Sequence, residues 1–405
     1  MEQIIENVDV CIIGGSIAGN YLTYLLSKSN LIIAVIEEHK EIGLPFQCAG
    51  IISQKLTQLI DVPDDIILNR VKIAKIVAPS GKFIKLSGDE QPYIIDRIAL
   101  DRWFYEKAKN NKKINYYLDE KFKSFKYIVK NHQKFVLIET SKRSLITKIL
   151  IGCDGPLSTV AKLLGVENNI ITATQIRIKG SFNKNEAMMF FDPRWKELFG
   201  WIVPEGKNNI YRIGLASAEN VQKNFKIFLN RLGINIQDKL DQQGGIIPYG
   251  SMNKIAFDNI LLLGDSACQV KATTGGGIVM LITGAKYAAN CILKSFKENN
   301  FSKKFIKSNY EIPCSTAIGK QLKIHYLIRS VFERFTEDDF DTFFQIIKSS
   351  NVEQIISLYG DMDFPRNLVF KLLKNSMVFK FLLKFLKENP FLLFKLVKIL
   401  IDQRI

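Results

Sequence analysis

At 405 residues the chain is long enough for two or three packed units and a sizeable core. Its 47% apolar and 24% charged residues, with no proline-rich or low-complexity tract, exclude a disordered or fibrous protein. The net charge of +16 points to an anionic partner (nucleic acid, an acidic membrane surface, a phosphorylated substrate), or simply to a lysine-rich solvated surface.

The run Val8 to Ile13 is short and β-branched, and is predicted to be a buried strand. A small-residue turn follows, Gly14-Gly15-Ser16-Ile17-Ala18-Gly19, then a helical pattern to Leu26. A second buried run, Leu31 to Ile36, ends in Glu37. This is the layout of a dinucleotide site: the turn lets backbone approach a pyrophosphate at a helix N-terminus, and the acidic residue meets a ribose hydroxyl. Glu37 lies 23 residues beyond Gly14, close to the usual spacing of about 20. Ser16 replaces the middle glycine; it is small, and its hydroxyl can donate to a phosphate. The stretch Pro45-Phe46-Gln47-Cys48-Ala49-Gly50 comes next, and a nucleotide site alone does not require it.

Residues 53–60 read as a short helix, and 71–86 as two strands about Pro79-Ser80-Gly81. Asp96 is the expected N-cap of a helix through Arg97 to about Lys109. Strands are expected near 114–118, 122–129, 134–140 and 145–151, the last leading into Asp154-Gly155. Further strand-like segments cover 172–182, 186–192 and 199–215, followed by a helix over 218–232. A short strand at 260–263 runs into Gly264-Asp265, and Thr273-Thr274-Gly275-Gly276-Gly277-Ile278 opens a long helix. From Asn309 onward the pattern is almost wholly helical.

Six cysteines without close pairing and three scattered histidines give a zinc site little support, and no metal is expected. Cys11 and Cys153 sit in apolar runs, where cysteine acts as a small hydrophobe. The first strand begins within a few residues of Met1, leaving no room for a signal peptide, so a reducing cytoplasmic location is expected.

Toward the C-terminus, lysines at 371, 374, 380, 384, 387, 395 and 398 alternate with Phe379, Phe381, Leu382, Phe385, Leu386, Phe391, Phe394 and Leu396. Asn389-Pro390 divides the stretch, with Asn389 as N-cap and Pro390 at the first helical position. Two basic amphipathic helices suit peripheral binding to an anionic membrane, and recurring lysines exclude a spanning segment. The same helices can also cover an internal tunnel with their lysines in water.

Arg97-Ile98-Ala99-Leu100-Asp101, Asp154-Gly155 and Gly264-Asp265, in this order and spacing after the glycine turn, resemble the flavin-dependent monooxygenase fold. The resemblance implies FAD as cofactor. It sets Asp265 on the ribityl chain, Arg97 near the phosphates or ribityl, Asp154 close by, and the backbone of Gly276, Gly277 and Ile278 toward the flavin ring. Within that fold the chain looks most like the geranylgeranyl reductase family. Pro45, Cys48 and Gly50 meet its PxxCxG pattern, and Gly264 to Ala267 with Thr274 to Ile278 resemble its archaeal members. Of the family's YxWxFPK pattern only Trp201 and Pro204 remain, with Phe199, Val203 and Glu205 at the other marked positions; Ala272 also stands where a proline is common.

That likeness implies an α/β chain: a Rossmann-like FAD-binding domain over 1–170 with a strand insertion near 65–96, and an antiparallel substrate domain over 171–254. A return to the FAD domain over 255–300 and a C-terminal helical region over 301–405 complete it. It implies reduction of C=C bonds in a polyprenyl lipid, most of all a geranylgeranylated archaeal glycerophospholipid, with NAD(P)H or reduced ferredoxin as electron donor. Cys48 is then the catalytic candidate beside the ring, with Ala49 next to it, and Trp201 and Pro204 belong to the substrate wall; Cys48 as a packing contact and Trp201 as plain core are the bland readings. A monomer without nucleic acid is expected, associated with the membrane surface. A flavin hydroxylase on the same fold, a reductase of another polyprenyl compound such as a quinone side chain, and a membrane-surface binding protein without turnover are the alternatives.

Overall fold

The computed structural model describes residues 5–88, 90–252 and 254–394. The most β-branched runs build a parallel sheet in the order 260–262, 144–152, 5–13, 33–36, 114–117. Val10, Cys11, Ile12, Ile33, Ala34 and Val35 are wholly buried, as expected of central strands covered on both faces. The helices Ile17–Leu26, Arg97–Lys109 and Ile278–Glu298 contribute to the same core. Asp96 caps the second of them by accepting from the Ala99 N–H at 3.0 Å. Cys153 is buried in this core along with Cys11.

A second sheet of seven strands runs in the order 239–249, 169–179, 210–217, 200–204, 186–190, 73–77, 83–86. All neighbours are antiparallel except 186–190 on 73–77. The stretch 199–215 is two strands rather than one, Gly200–Pro204 and Ile210–Ser217. Gly206, Asn208 and Asn209, all at positive φ, fold the chain back between them. Alternation gives this sheet two unlike faces. Ile176, Ile202, Ile213 and Leu215 pack on Phe225 and Phe228 of the helix Val221–Arg231. Ile171, Trp201, Val203 and Ala216 cluster on the other face.

The C-terminal helices Lys320–Phe332, Glu337–Ser349, Val352–Tyr359, Arg366–Leu373 and Ser376–Glu388 follow. Phe335, Phe340, Phe344 and Phe385 pack with Ala78 and Ile84, so this unit sits on the edge of the second sheet. The side chain of Asn389 donates to the Phe385 carbonyl at 2.9 Å, closing the preceding helix. Lys395, Leu396 and Lys398 lie outside the described residues. Among the described residues no helix is long and apolar enough to cross a membrane.

Candidate active site

One cavity of about 1290 Å³ runs from the glycine turn, between the two sheets, to the C-terminal helices. It exceeds the roughly 300–1,000 Å³ common for small-ligand sites. Gly14, Ser16, Glu37, Cys48, Ala49, Arg97, Asp154, Trp201, Asp265, Gly276, Gly277 and Ile278 all line it.

At the first end, Gly14 has φ +103°, and a Cβ there would stand 2.3 Å from the Cys153 carbonyl oxygen. Only glycine lets the strand turn this close to its neighbour. Ser16 precedes the helix without capping it, which leaves first-turn N–H groups free for an anion. Glu37 is buried; its carboxylate accepts from the Gly15 N–H at 2.6 Å and the His39 N–H at 2.9 Å. Further lone pairs remain for hydroxyl donors. Arg97 pairs with Asp101 and donates to Ser16 Oγ at 2.9 Å. Burial pushes the Asp101 carboxyl up to about 6 against the pull of Arg97, and its Oδ1 is buried without a partner. Burial likewise raises Asp265 to about 6, again opposed by Arg97. Asp154 accepts from the Ser158 hydroxyl and from the Val160 N–H at 3.1 Å, which ties it to the start of the helix Thr159–Leu163.

Two loops meet the middle of the cavity. In the first, the Gly50 N–H approaches Cys48 Sγ at 3.3 Å, and Cys48 is the one cysteine of six that is not buried. The second, Lys271 to Gly277, is held from the C-terminal helices. Arg329 donates to the Ala272 carbonyl at 2.7 and 2.8 Å, and Lys271 pairs with fully buried Asp363 at 2.6 Å. His325 Nε2 faces the Asp363 carbonyl at 3.1 Å and must carry the hydrogen, so Nδ1 accepts from the Thr273 hydroxyl at 2.6 Å. Burial and the nearby Lys271 charge hold His325 down to about 4.

The far arm is apolar, walled by Ile76, Met188, Met189, Phe199, Trp201 and Val203 with Ile328, Ile356 and Leu368 from the helices. Three of the residues expected at the site stand off the wall. Pro204 shares the sheet face of Ile202, because strand alternation turns Trp201 and Val203 inward. Gly19 and Ala18 lie behind the turn: a Cβ on Gly19 would meet the Gly14 carbonyl oxygen at 1.9 Å, and Ala18 packs under Gly264. Sequence reasoning missed Gln175, Gln243, Thr273, His325 and Asp363. Only Gln175 carried a signal, as a polar residue alternating with apolar ones in Gln175-Ile176-Arg177-Ile178.

No family model matches the chain. An uncharacterized protein of Methanocaldococcus jannaschii is 28% identical over 389 residues, covering 91% of this chain and 96% of that one. A digeranylgeranylglycerophospholipid reductase of Methanococcoides burtonii is 23% identical over 380 residues, 86% of this chain and 90% of the relative. Among solved structures, a geranylgeranyl bacteriochlorophyll reductase-like protein from Thermoplasma acidophilum superposes with a TM-score of 0.81 at 19% identity, covering 96% of this chain and all of that one. The p-nitrophenol 4-monooxygenase of Pseudomonas putida gives 0.68 at 15% identity, over 87% and 97%. The fold is therefore that of the flavin-dependent reductases and monooxygenases, and the resemblance to the geranylgeranyl reductases extends over nearly the whole chain.

Proposed function

We propose that this chain is an FAD-dependent reductase that saturates C=C bonds in the geranylgeranyl chains of archaeal membrane glycerophospholipids. The observation that carries the reading is the continuity of one cavity: a dinucleotide cradle at one end, a long apolar arm at the other, and the Cys48 and Gly276–Ile278 loops between them. The residues present fit FAD. The uncapped helix start beside Ser16 and Arg97 suits a pyrophosphate, Glu37 suits a ribose, and Asp265 with the backbone of Gly276 to Ile278 suits the ribityl and ring.

Bound there in reduced form, FAD supplies a hydride to one alkene carbon. The other carbon takes a proton, and we assign its donation to Cys48, whose presence on the cavity wall between the cradle and the apolar arm supports that role. Phe199, Trp201, Val203, Met188 and Met189 orient the chain and exclude water. An isolated alkene has no electron-withdrawing group, so this orientation carries much of the catalysis. NAD(P)H or reduced ferredoxin delivers the electrons, and the protein acts as a monomer.

The C-terminal helices supply the route to the lipid. Phe370, Met377, Phe379, Leu383, Phe391 and Phe394 are exposed beside exposed Lys374, Lys380, Lys384 and Lys387. Ile356, Met362 and Leu368 of the same region line the cavity, so its apolar arm lies next to a greasy, basic surface suited to an anionic bilayer.

The test is anaerobic: protein loaded with FAD and reduced by dithionite is mixed with geranylgeranylated lipid, and flavin absorbance is followed. Reoxidation that depends on lipid supports the reductase. In a parallel aerobic reaction with NAD(P)H, rapid substrate-stimulated oxygen uptake with a hydroxylated product would establish the monooxygenase instead.

A further inference from the structure

The Cys48 loop is gripped from the second sheet by a closed circuit of side chains. Arg212 Nη1 donates to the Ala49 carbonyl at 2.9 Å and approaches that of Ile95 at 3.4 Å. Its Nε donates to Glu205 at 2.7 Å. Glu205 also accepts two bonds from Arg177, at 2.7 and 2.9 Å, and Arg177 reaches Asp241 at 2.8 Å. Asp241 accepts from Gln243 at 2.9 Å, and Gln243 accepts from Gln175 at 2.6 Å. Gln175 then donates to the Cys48 carbonyl at 3.0 Å, and its oxygen accepts from Trp201 Nε1 at 3.1 Å.

The circuit thus begins on the Ala49 carbonyl and ends on that of Cys48. Strand register builds it: Arg177 lies opposite both Arg212 and Asp241, and Gln175 lies opposite both Gly214 and Gln243. Two arginines face to face would repel, and Glu205 between them cancels the repulsion. Two glycines make room. A Cβ on Gly214 would stand 2.5 Å from both Gln175 and Trp201, and one on Gly50 would stand 2.0 Å from Arg212 Nη1. Gly50 also has φ +75°, so both its conformation and its contact demand glycine.

We propose that Arg212 and Gln175, oriented by Glu205 and Trp201, are positioning residues that set the Cys48 thiol in the cavity and couple its place to the substrate wall. This rests on the reductase reading for its functional meaning. Arg212 and Glu205 are buried, so the half of the circuit that holds the Ala49 carbonyl is shielded from water and from salt screening. Trp201 lies both on the cavity wall and in the circuit, so a chain packed on its ring bears on the Cys48 backbone through one shared glutamine.

The experiment compares full-length, FAD-loaded parent with the Arg212→Lys and Gln175→Met variants. It measures the rate at which iodoacetamide alkylates Cys48, read by peptide mass spectrometry, together with FAD affinity, kcat and KM. We expect Cys48 alkylation to change by about fivefold or more and kcat to fall about tenfold, with FAD affinity and lipid KM nearly unchanged. Unchanged alkylation and kcat in folded variants, even with a lowered melting temperature, would overturn the proposal by leaving the circuit a purely structural role. Trp201→Phe removes one donor to Gln175 and keeps an aromatic ring, so Cys48 alkylation, which needs no lipid, gives the same readout in it should the other variants fail to fold. If the parent protein reduces no lipid, the reductase reading fails alone, since the alkylation comparison needs no lipid.

Discussion

Replacing Glu205 by lysine restores the residue of the related motif and reverses the charge at the centre of the sheet. In the parent, the Glu205 side chain is 8% exposed and pairs with Arg177 and Arg212, both at 2.7 Å. Glu205→Lys removes both pairs and sets three cations together in a buried place. Breaking a buried pair costs about 3–5 kcal/mol. With about 2.1 cal/mol/K of unfolding entropy per residue, a chain of 405 residues has roughly 0.85 kcal/mol/K, so the melting temperature should fall by about 4–6 °C. Glu205→Gln keeps one acceptor and should lose about half as much.

The pH dependence has a definite sign. Burial raises the Glu205 carboxyl, but hydrogen bonds from Arg177 and the charges of both arginines bring it below its ordinary value. Its stabilising contribution is then complete above the unfolded carboxyl's value of about 4.3 and is lost as pH falls through the lower folded value. The gap between parent and Glu205→Gln, followed by calorimetry or circular dichroism, should stay level at neutral pH and close below about pH 4. A Glu205→Lys protein that melts with the parent, or a gap that widens in acid, would refute the reasoning.

Gly14→Ala forces a Cβ to 2.3 Å from a backbone oxygen at φ +103°, so a folded variant should lose FAD binding by at least about tenfold in titrations followed by flavin fluorescence. His325 is held at about 4 by burial and Lys271, so it is neutral in the folded protein. Its folded value lies below the unfolded 6.5, so stability conferred by the buried neutral ring is present above pH 6.5 and falls toward pH 4; a His325→Gln variant should flatten that loss in acid unfolding curves. Changing Lys380, Lys384 and Lys387 to glutamate should weaken the affinity for anionic vesicles, read by sedimentation, by about a hundredfold or more at about 1 kcal/mol per lysine near the surface, and leave dithionite-driven reduction of detergent-dispersed lipid intact.

The cradle was legible because its parts are local. A β-branched run, a small-residue turn and an acidic residue a fixed distance on are adjacent in sequence, and the sterics that require Gly14 act between neighbouring strands. The helix start at Asp96 is local in the same way. The circuit behind Cys48 was not legible. It joins Cys48 to Gln175, Gln243, Asp241, Arg177, Glu205 and Arg212 through the register of three strands, which alternation alone leaves undetermined. Glu205 read as a departure from a pattern, and only the two arginines beside it explain why an acid is stable there. Pro204 was placed at the site by motif, and period-two geometry turns it away. His325 and Asp363 reach the loop at Thr273 and Lys271 from 52 and 92 residues away, distances no periodicity encodes.

Mass spectrometry of the lipid product tests the central claim most directly. Geranylgeranylated glycerophospholipid is incubated anaerobically with the FAD-loaded protein and dithionite, beside a Cys48→Ala variant of equal flavin content. The account predicts a gain of two hydrogens for each alkene reduced by the parent and a much smaller gain with the variant. Unchanged geranylgeranyl chains at full flavin occupancy would contradict it.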